Sequence, residues 1–278
     1  MFSARTQKHM KLIMIYLLLT LISLLFLLPV VWTFLTSLKM HIDAVALPPV
    51  WNFKPRWQNY LDAWNTKDFA RSFINTVVVG IGTVIVNLVL GIPAAYSLAR
   101  YRIKAIGKLE IWFLLVRMLP EMLFIIPLYI LYRKFGLYDT NIGLILAFQI
   151  FNLPYSIWLL RQFIAEVPEE IEEAGRIDGC SEIQVLLRLT LPLIAPGVVA
   201  TSILGFIVVW TNLLFPLSLT YSNAKLVSIG IAGFKGYGSL NLPLMAAASI
   251  IAILPQMVFF IVIQKYIVKG LTLGAVKG

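Results

Sequence analysis

The sequence predicts an all-α integral membrane protein with six transmembrane helices, and three observations lead to that class. Of 278 residues, 60% are hydrophobic and only 13% are charged, where a soluble domain carries about 25% charged and about 45–50% apolar residues. Much of the surface must therefore have lipid as its solvent. Six apolar stretches, at about 12–37, 74–99, 110–132, 141–160, 197–220 and 243–264, reach the roughly 20 residues that a helix needs to cross hydrocarbon. Lastly, Lys and Arg gather on one side of the alternation those stretches impose. With both termini inside, thirteen fall in inner segments: Arg5, Lys8, Lys11; Arg100, Arg102, Lys104, Lys108; Arg161, Arg176, Arg188; and Lys265, Lys269, Lys277. Nine fall outside, five of them in one long connection, so the bias places both termini in the cytoplasm.

The first stretch follows a basic tail, residues 1–11, in the manner of a signal peptide. Its apolar run, from Leu12 to about Leu38, is far longer than the roughly 7–15 residues of a signal core, and no A-x-A site follows. It reads as a retained span at the head of a single transmembrane domain, residues 12–278. Prolines within the spans (Pro29, Pro93, Pro120, Pro127, Pro154, Pro216, Pro255) do not veto helices, because neighbouring helices can satisfy the backbone groups they free. The connection 39–73 carries Trp51, Trp57 and Trp64, which suit a membrane–water interface.

Composition also excludes classes. The net charge of +10 reads as cationic residues at loop ends of a membrane protein rather than as a nucleic-acid surface. One cysteine, Cys180, rules out an intrachain disulfide framework and a cysteine-rich metal site. His9 and His41 lie in unrelated segments, so no His-based metal or catalytic cluster is visible. No phosphate-binding loop is present; Gly107-Lys108 is followed by Leu109. The chain cannot hydrolyse ATP by that route.

The segment 161–196 differs from the rest. Glu166, Glu169, Glu170, Glu172, Glu173, Asp178 and Glu182 face three arginines in a basic protein. It reads as two short helices. Pro168 starts the first, with acids in its first turn and Gly179 just past its end. Ser181 and Gln184 form a capping box for the second, which Pro192 stops. Ile171, Ala174, Gly175 and Asp178 share a face of the first helix. The residues alone leave open a helix for docking a partner or a generic acidic loop.

Glu173-Ala174-Gly175-Arg176-Ile177-Asp178-Gly179, then nine residues, then Leu189-Thr190-Leu191-Pro192, resembles the EAA motif of ABC importer permeases. Gly175 and Leu189 depart from it but keep its small and aliphatic character. Ala94-Ala95-Tyr96-Ser97-Leu98-Ala99-Arg100, Arg117-Met118-Leu119-Pro120, Gly136-Leu137-Tyr138-Asp139-Thr140, Trp210-Thr211-Asn212 and the terminal Gly270-Leu271-Thr272 resemble the carbohydrate-uptake class, and within it the smaller maltose-type permease. The resemblance implies a type I importer permease fold whose loop helices couple to a cytoplasmic ATPase through Glu172, Glu173, Ala174, Gly175, Asp178, Gly179, Leu191 and Pro192. It implies a second homologous permease, two ATPase subunits that bind ATP and Mg, and an extracytoplasmic solute-binding protein. The chain itself would carry no cofactor and no catalytic residue. The glycine-rich connection 221–242, with Gly233, Gly236 and Gly238, resembles the outer loop that reaches into the binding protein.

Arg117 and Glu121 are the charges well inside a predicted span. A charge at mid-bilayer costs roughly 2.5–3.5 kcal/mol on insertion scales, so such residues face protein or water. Four apart, they can pair with each other as a structural ion pair or line a sugar pathway. Trp210 and Asn212 are candidates for the same pathway, offering a ring to stack on sugar and an amide for hydroxyls, although helix–helix hydrogen bonding explains them equally well. A permease for a non-sugar solute is the nearer rival reading. An ion-coupled secondary transporter is the more distant one, since it would need acidic relays in several spans and only Glu121 qualifies.

Overall fold

The computed structural model describes residues 4–101, 106–234 and 241–274, and every regular element among them is helical. Gly236, Gly238, Arg102, Lys104, Lys277 and the terminal residues 275–278 lie outside that description. The chain divides into two compact units, Met1–Thr66 with Phe234–Ile251, and Lys67–Gly233 with Ala252–Gly278.

In the first unit, α1 (Ala4–Ser37) is apolar on every side from Leu12 onward, and none of its spanning stretch is buried. A helix apolar all round is a helix for lipid or for a partner within lipid. After the short α2 (His41–Val45), α3 (Gln58–Asn65) returns to fix the end of α1. Buried Asn59 donates to the carbonyls of Ser37 at 2.8 Å and Lys39 at 2.9 Å. The Lys39 ammonium lies over the rings of Trp32 and Phe53, at 5.2 and 5.1 Å. The aromatic residues of this connection therefore pack among themselves as well as suiting an interface.

The second unit is built on α4 (Lys67–Arg100), then α5 (Ile106–Met118), α6 (Met122–Phe135) and α7 (Asn141–Ala165). Next come α8 (Glu169–Ile177) and α9 (Glu182–Gln184), a π-helical segment (Val185–Thr190), and α10 (Leu191–Leu193). It closes with α11 (Ala195–Thr211), α12 (Leu214–Leu219) and α13 (Val227–Ala232), and with α14 (Leu242–Gly274), which begins in the first unit.

Helices α4 and α7 run parallel and in close contact. Asn75 meets Asn141, Gly82 faces Ile145, and Gly91 faces Leu153, Ile157 and Leu160. Small residues at 82 and 91 let the two helices approach, the usual device for packing inside a membrane. Phe148 and Phe151 of α7 pack against Phe215 of α12 at 5.4 and 6.0 Å. Val79, Leu144 and Val209 complete this core. A second core of Ala95, Tyr96, Leu160, Ile164, Leu186 and Ile194 lies toward α8.

Four helices are long and apolar enough to cross a membrane, and six spans result if each of two bent pairs counts as one. The expected third span is not one straight helix. It bends by 88° between α5 and α6, where Pro120 lacks an N–H and its ring clashes with the carbonyl four residues back. The second bent pair, Glu182–Leu193 with Ala195–Thr211, turns by 80° just ahead of the expected fifth span, and the second loop helix ends at Leu193, one residue after Pro192. The wide π turn before Pro192 accommodates its missing donor. The fifth span breaks at Asn212, which is extended. Its side-chain oxygen accepts the N–H of Phe215 at 3.0 Å, a local bond that competes with continuing the helix. Helix α4 starts at Lys67 rather than near 74, because its first turns are held by polar contacts that hydropathy does not register.

Candidate functional site

The acidic loop folds on its local signals. Pro168 precedes α8, and Glu169, Glu170 and Glu172 fill the first turn, where negative charge favours the helix dipole. Cys180 N–H donates to Gly175 O at 3.0 Å and Gly179 N–H to Arg176 O at 3.0 Å. Gly179 closes the helix at φ +87°, the left-handed position that glycine takes without strain. Ser181 and Gln184 make both bonds of the capping box.

Tertiary contacts then decide which way α8 faces. Glu172 is turned inward and is 1% exposed. Its carboxylate accepts from Arg100 Nε and Nη2, both at 2.9 Å, from Thr190 Oγ1 at 2.8 Å and from Tyr96 OH at 3.0 Å. Arg100 also donates to Val167 O at 3.0 Å. Arg176 joins the cluster from the same helix, donating to Tyr96 OH at 3.2 Å and to Glu182 at 2.8 Å. Burial alone would raise the Glu172 carboxyl, but the bonds from Arg100, Thr190 and Tyr96 outweigh it and hold it below the usual carboxylate range.

This corrects two expectations. Glu172 is not presented to a partner; it fastens α8 to the last turn of α4. Gly175 is not left open for a partner's backbone either. It is buried, and a Cβ there would collide with Leu189 of the same chain. The residues that do face outward are Glu173, Ala174, Asp178 and Gly179, joined by exposed Ile171, Ile177, Ile183 and Leu187. Leu191 is half-buried and Pro192 exposed beside them. The sequence signal for the inward turn was Tyr96 and Arg100 at the end of a span, one helical turn apart.

The second constellation is a cavity of about 400 Å³ lined by Arg117, Glu121, Phe151, Thr211, Asn212 and Leu214, among others. It sits where the break between α5 and α6 meets the break between α11 and α12. Arg117 and Glu121 form no ion pair among the described residues, because Pro120 puts them on different helices. Asn212 Nδ2 instead donates to Glu121 at 2.8 Å, and the Arg117 guanidinium lies 4.0 Å from the centre of the Tyr155 ring. Trp210 does not line this cavity. It is 4% exposed, stacks on Phe206 at 5.3 Å, meets Phe73 edge-on at 5.4 Å and donates its indole N–H to Ala252 O at 3.0 Å. With its donor satisfied and its ring covered, it is a packing residue.

Asp139, part of the Gly136–Thr140 motif, fastens the segment 221–224. At φ 57° its carboxylate accepts the N–H groups of Tyr221, Ser222, Asn223 and Ala224, at 3.0, 3.2, 2.9 and 3.1 Å. Burial opposes ionisation here, but these backbone donors prevail and bring its pKa down to about 2. Farther along the same connection, Gly233 ends α13.

Residues 87–273 match the family model for the binding-protein-dependent transport system inner membrane component. The trehalose transport system permease protein SugB of Mycobacterium tuberculosis is 37% identical over 91% of this chain and 93% of its own. The diacetylchitobiose uptake system permease protein DasC of Streptomyces coelicolor is 32% identical over 90% and 91%. The fold resembles a chain of a bacterial ABC transporter that imports the acidic polysaccharide alginate, with a TM-score of 0.78 and 22% identity over 96% of this chain and 99% of that one. A family match across two thirds of the sequence, relatives aligned end to end and a shared fold lead to one conclusion: this chain belongs to the family of inner-membrane permease components of binding-protein-dependent ABC transport systems.

Proposed function

We propose that the chain is one of two homologous permease subunits of an ATP-driven sugar importer, and that residues 12–278 act as one domain forming half of the pathway by alternating access. The observation that carries this is the meeting of two broken spans at a polar cavity. Irregular backbone at membrane depth is tolerated where it lines a cavity, and transporters place their substrate sites at such breaks. Arg117, Glu121 and Asn212 offer a cation, an acceptor and an amide to a sugar's hydroxyls. Relatives named for trehalose and diacetylchitobiose support a sugar as the cargo.

The outward face of α8 and the turn after it supports docking of an ATPase that holds ATP and Mg, since this chain lacks a phosphate-binding loop. Exposed Ile177 and Ile183, 87% and 69% accessible, lie outside the spans, where large apolar side chains mark a protein contact. Glu173 beside them offers a charge to a basic residue. The connection 221–242 with Gly233 then faces an extracytoplasmic binding protein, and both termini are cytoplasmic. Reporter fusions should read outside after residues 40 and 137 and inside after residue 180; an outside signal at 180 would reverse the orientation and remove α8 from the ATPase.

The test of function is reconstitution. The purified chain alone should show neither ATP hydrolysis nor uptake of radiolabelled trehalose or diacetylchitobiose. Vesicles holding it with its partner permease, two ATPase subunits and binding protein should show both activities. Uptake by this chain alone under a proton or sodium gradient would favour a secondary transporter instead.

A further inference from the structure

We propose that α4 is the element that carries movement of α8 across the membrane to the segment 221–227, and that Arg100 at one end and Asn75 and Thr76 at the other are the positioning residues that make it so. The proposal rests on the reading of α8 as the ATPase-docking element.

The geometry differs from that of the third and fifth spans. The third and fifth spans are broken midway, at Pro120 and Asn212, and a break absorbs movement. Helix α4 is a single helix of 34 residues, about 50 Å long at the α-helical rise. It is stiffened along its length by parallel contact with α7. Its last turn is bound to α8 by the two-pronged Arg100–Glu172 pair and by Tyr96. Its first turns are bound to the opposite loop. Asn75 Nδ2 donates to the carbonyls of Asn223 at 2.8 Å and Lys225 at 3.1 Å. Val227 N–H donates to Thr76 Oγ1 at 2.7 Å. Arg71 reaches Asn223 Oδ1 at 3.1 Å, and Asp139 closes the same loop from the start of α7. Side chains of one unbroken rod thus hold both the α8 latch and the loop on the far side. Any displacement of α8 that keeps its latch must move α4, and any displacement of α4 that keeps its outer bonds must move residues 221–227.

Thr76 is fully buried and Asn75 nearly so; they sit at the opposite end of α4 from the latch, and neither lines the cavity. The variant Asn75→Ala/Thr76→Val removes the buried outer bonds, keeps the exposed Arg71–Asn223 and Asp68–Lys225 contacts and leaves the α8 latch intact. The experiment is amide hydrogen exchange on the complete complex, with and without AMP-PNP. In wild type, AMP-PNP should change exchange both in α8 and at the amides of residues 221–224. In the variant the α8 response should persist, while the response at 221–224 falls at least roughly fivefold, the low end of ordinary coupling between sites. Thr76→Ser, which keeps the acceptor oxygen, should respond as wild type does. An undiminished response at 221–224 in the double variant would overturn the proposal. So would loss of the response in α8 and at 221–224 alike, because the outer bonds would then serve only folding. A wild-type complex whose α8 does not respond to AMP-PNP would instead overturn the docking role of α8, which is a separate failure.

Discussion

Glu172→Ala should release α8 from the membrane domain and abolish recovery of the ATPase with this chain. The Arg100 side chain is 7% exposed and that of Glu172 1%. A pair taken that far out of water adds little net stability over an apolar pair of the same shape. Removing one partner, however, strands the other charge, at a cost of about 3–5 kcal/mol. That is a large share of the about 5–15 kcal/mol by which domains are stable. The stranded groups also include Thr190 Oγ1 and Tyr96 OH, which lose their acceptor. Glu172→Gln should cost less, since an amide oxygen can still accept from Arg100 and Thr190. Thermal unfolding in detergent, followed by size-exclusion recovery, ranks the three proteins as wild type, Gln, then Ala. The pH dependence has a definite sign. The carboxyl is held below its ordinary range in the folded state, so its contribution is complete above that range and is lost as pH falls below it. Acidification should therefore narrow the gap between wild type and Glu172→Gln. Equal melting of wild type and Glu172→Ala would mean that something other than this pair holds α8.

What could be read from the residues, and what could not, divides by the distance over which the determining contacts act. Pro168, Gly179 and the Ser181–Gln184 box specify the ends of the loop helices through bonds spanning a few residues, and those ends were legible. The facing of α8 was not. Residues 172 and 173 are neighbours in an acidic run, and one helical step rotates by about 100°. Which of them turns inward depends on Arg100, 72 positions earlier. The six apolar stretches gave the spans because lipid imposes a length whatever the packing. Hydropathy does not register where a span breaks, so the corner at Pro120 and the interruption at Asn212 went unread. Their consequence is the cavity itself. It brings Asn212 to Glu121, 91 positions apart, and it separates Arg117 from a partner that sequence spacing alone would have given it. Trp210 misled in the opposite sense, since its type suggested sugar stacking while Phe73, Phe206 and Ala252 had already claimed it. Asp139 could have been noticed as an acid between a helix-ending glycine, Gly136, and a capping Thr140, but its four backbone partners lie more than 80 positions away.

Glu173→Lys should abolish transport without disturbing the fold, which sets it apart from every substitution at its neighbour. Glu173 is exposed and makes no hydrogen bond or ion pair among the described residues, so reversing its charge strands nothing within this chain. Its effect falls on the docked partner. Losing a charge-assisted bond costs about 1.5–3 kcal/mol, and repulsion between like charges adds to that. At about 1.4 kcal/mol per tenfold, ATPase affinity should fall roughly ten- to several-hundredfold. Gly179→Val should reach the same end by another route. At φ +87° with open space around it, the glycine is needed for its backbone and not for room, and a β-branched residue held there is strained by about 1–3 kcal/mol. The strain is relieved by changing the exit of the chain from α8, which re-aims Ile183 and Leu187. Glu173→Lys should therefore melt as wild type does, whereas Gly179→Val should melt lower, and both should lose ATPase on co-purification and lose sugar uptake. Each should still assemble with the partner permease, because neither residue lies in a span. Full ATPase recovery and wild-type uptake in Glu173→Lys would show that the exposed face of α8 is not the docking surface.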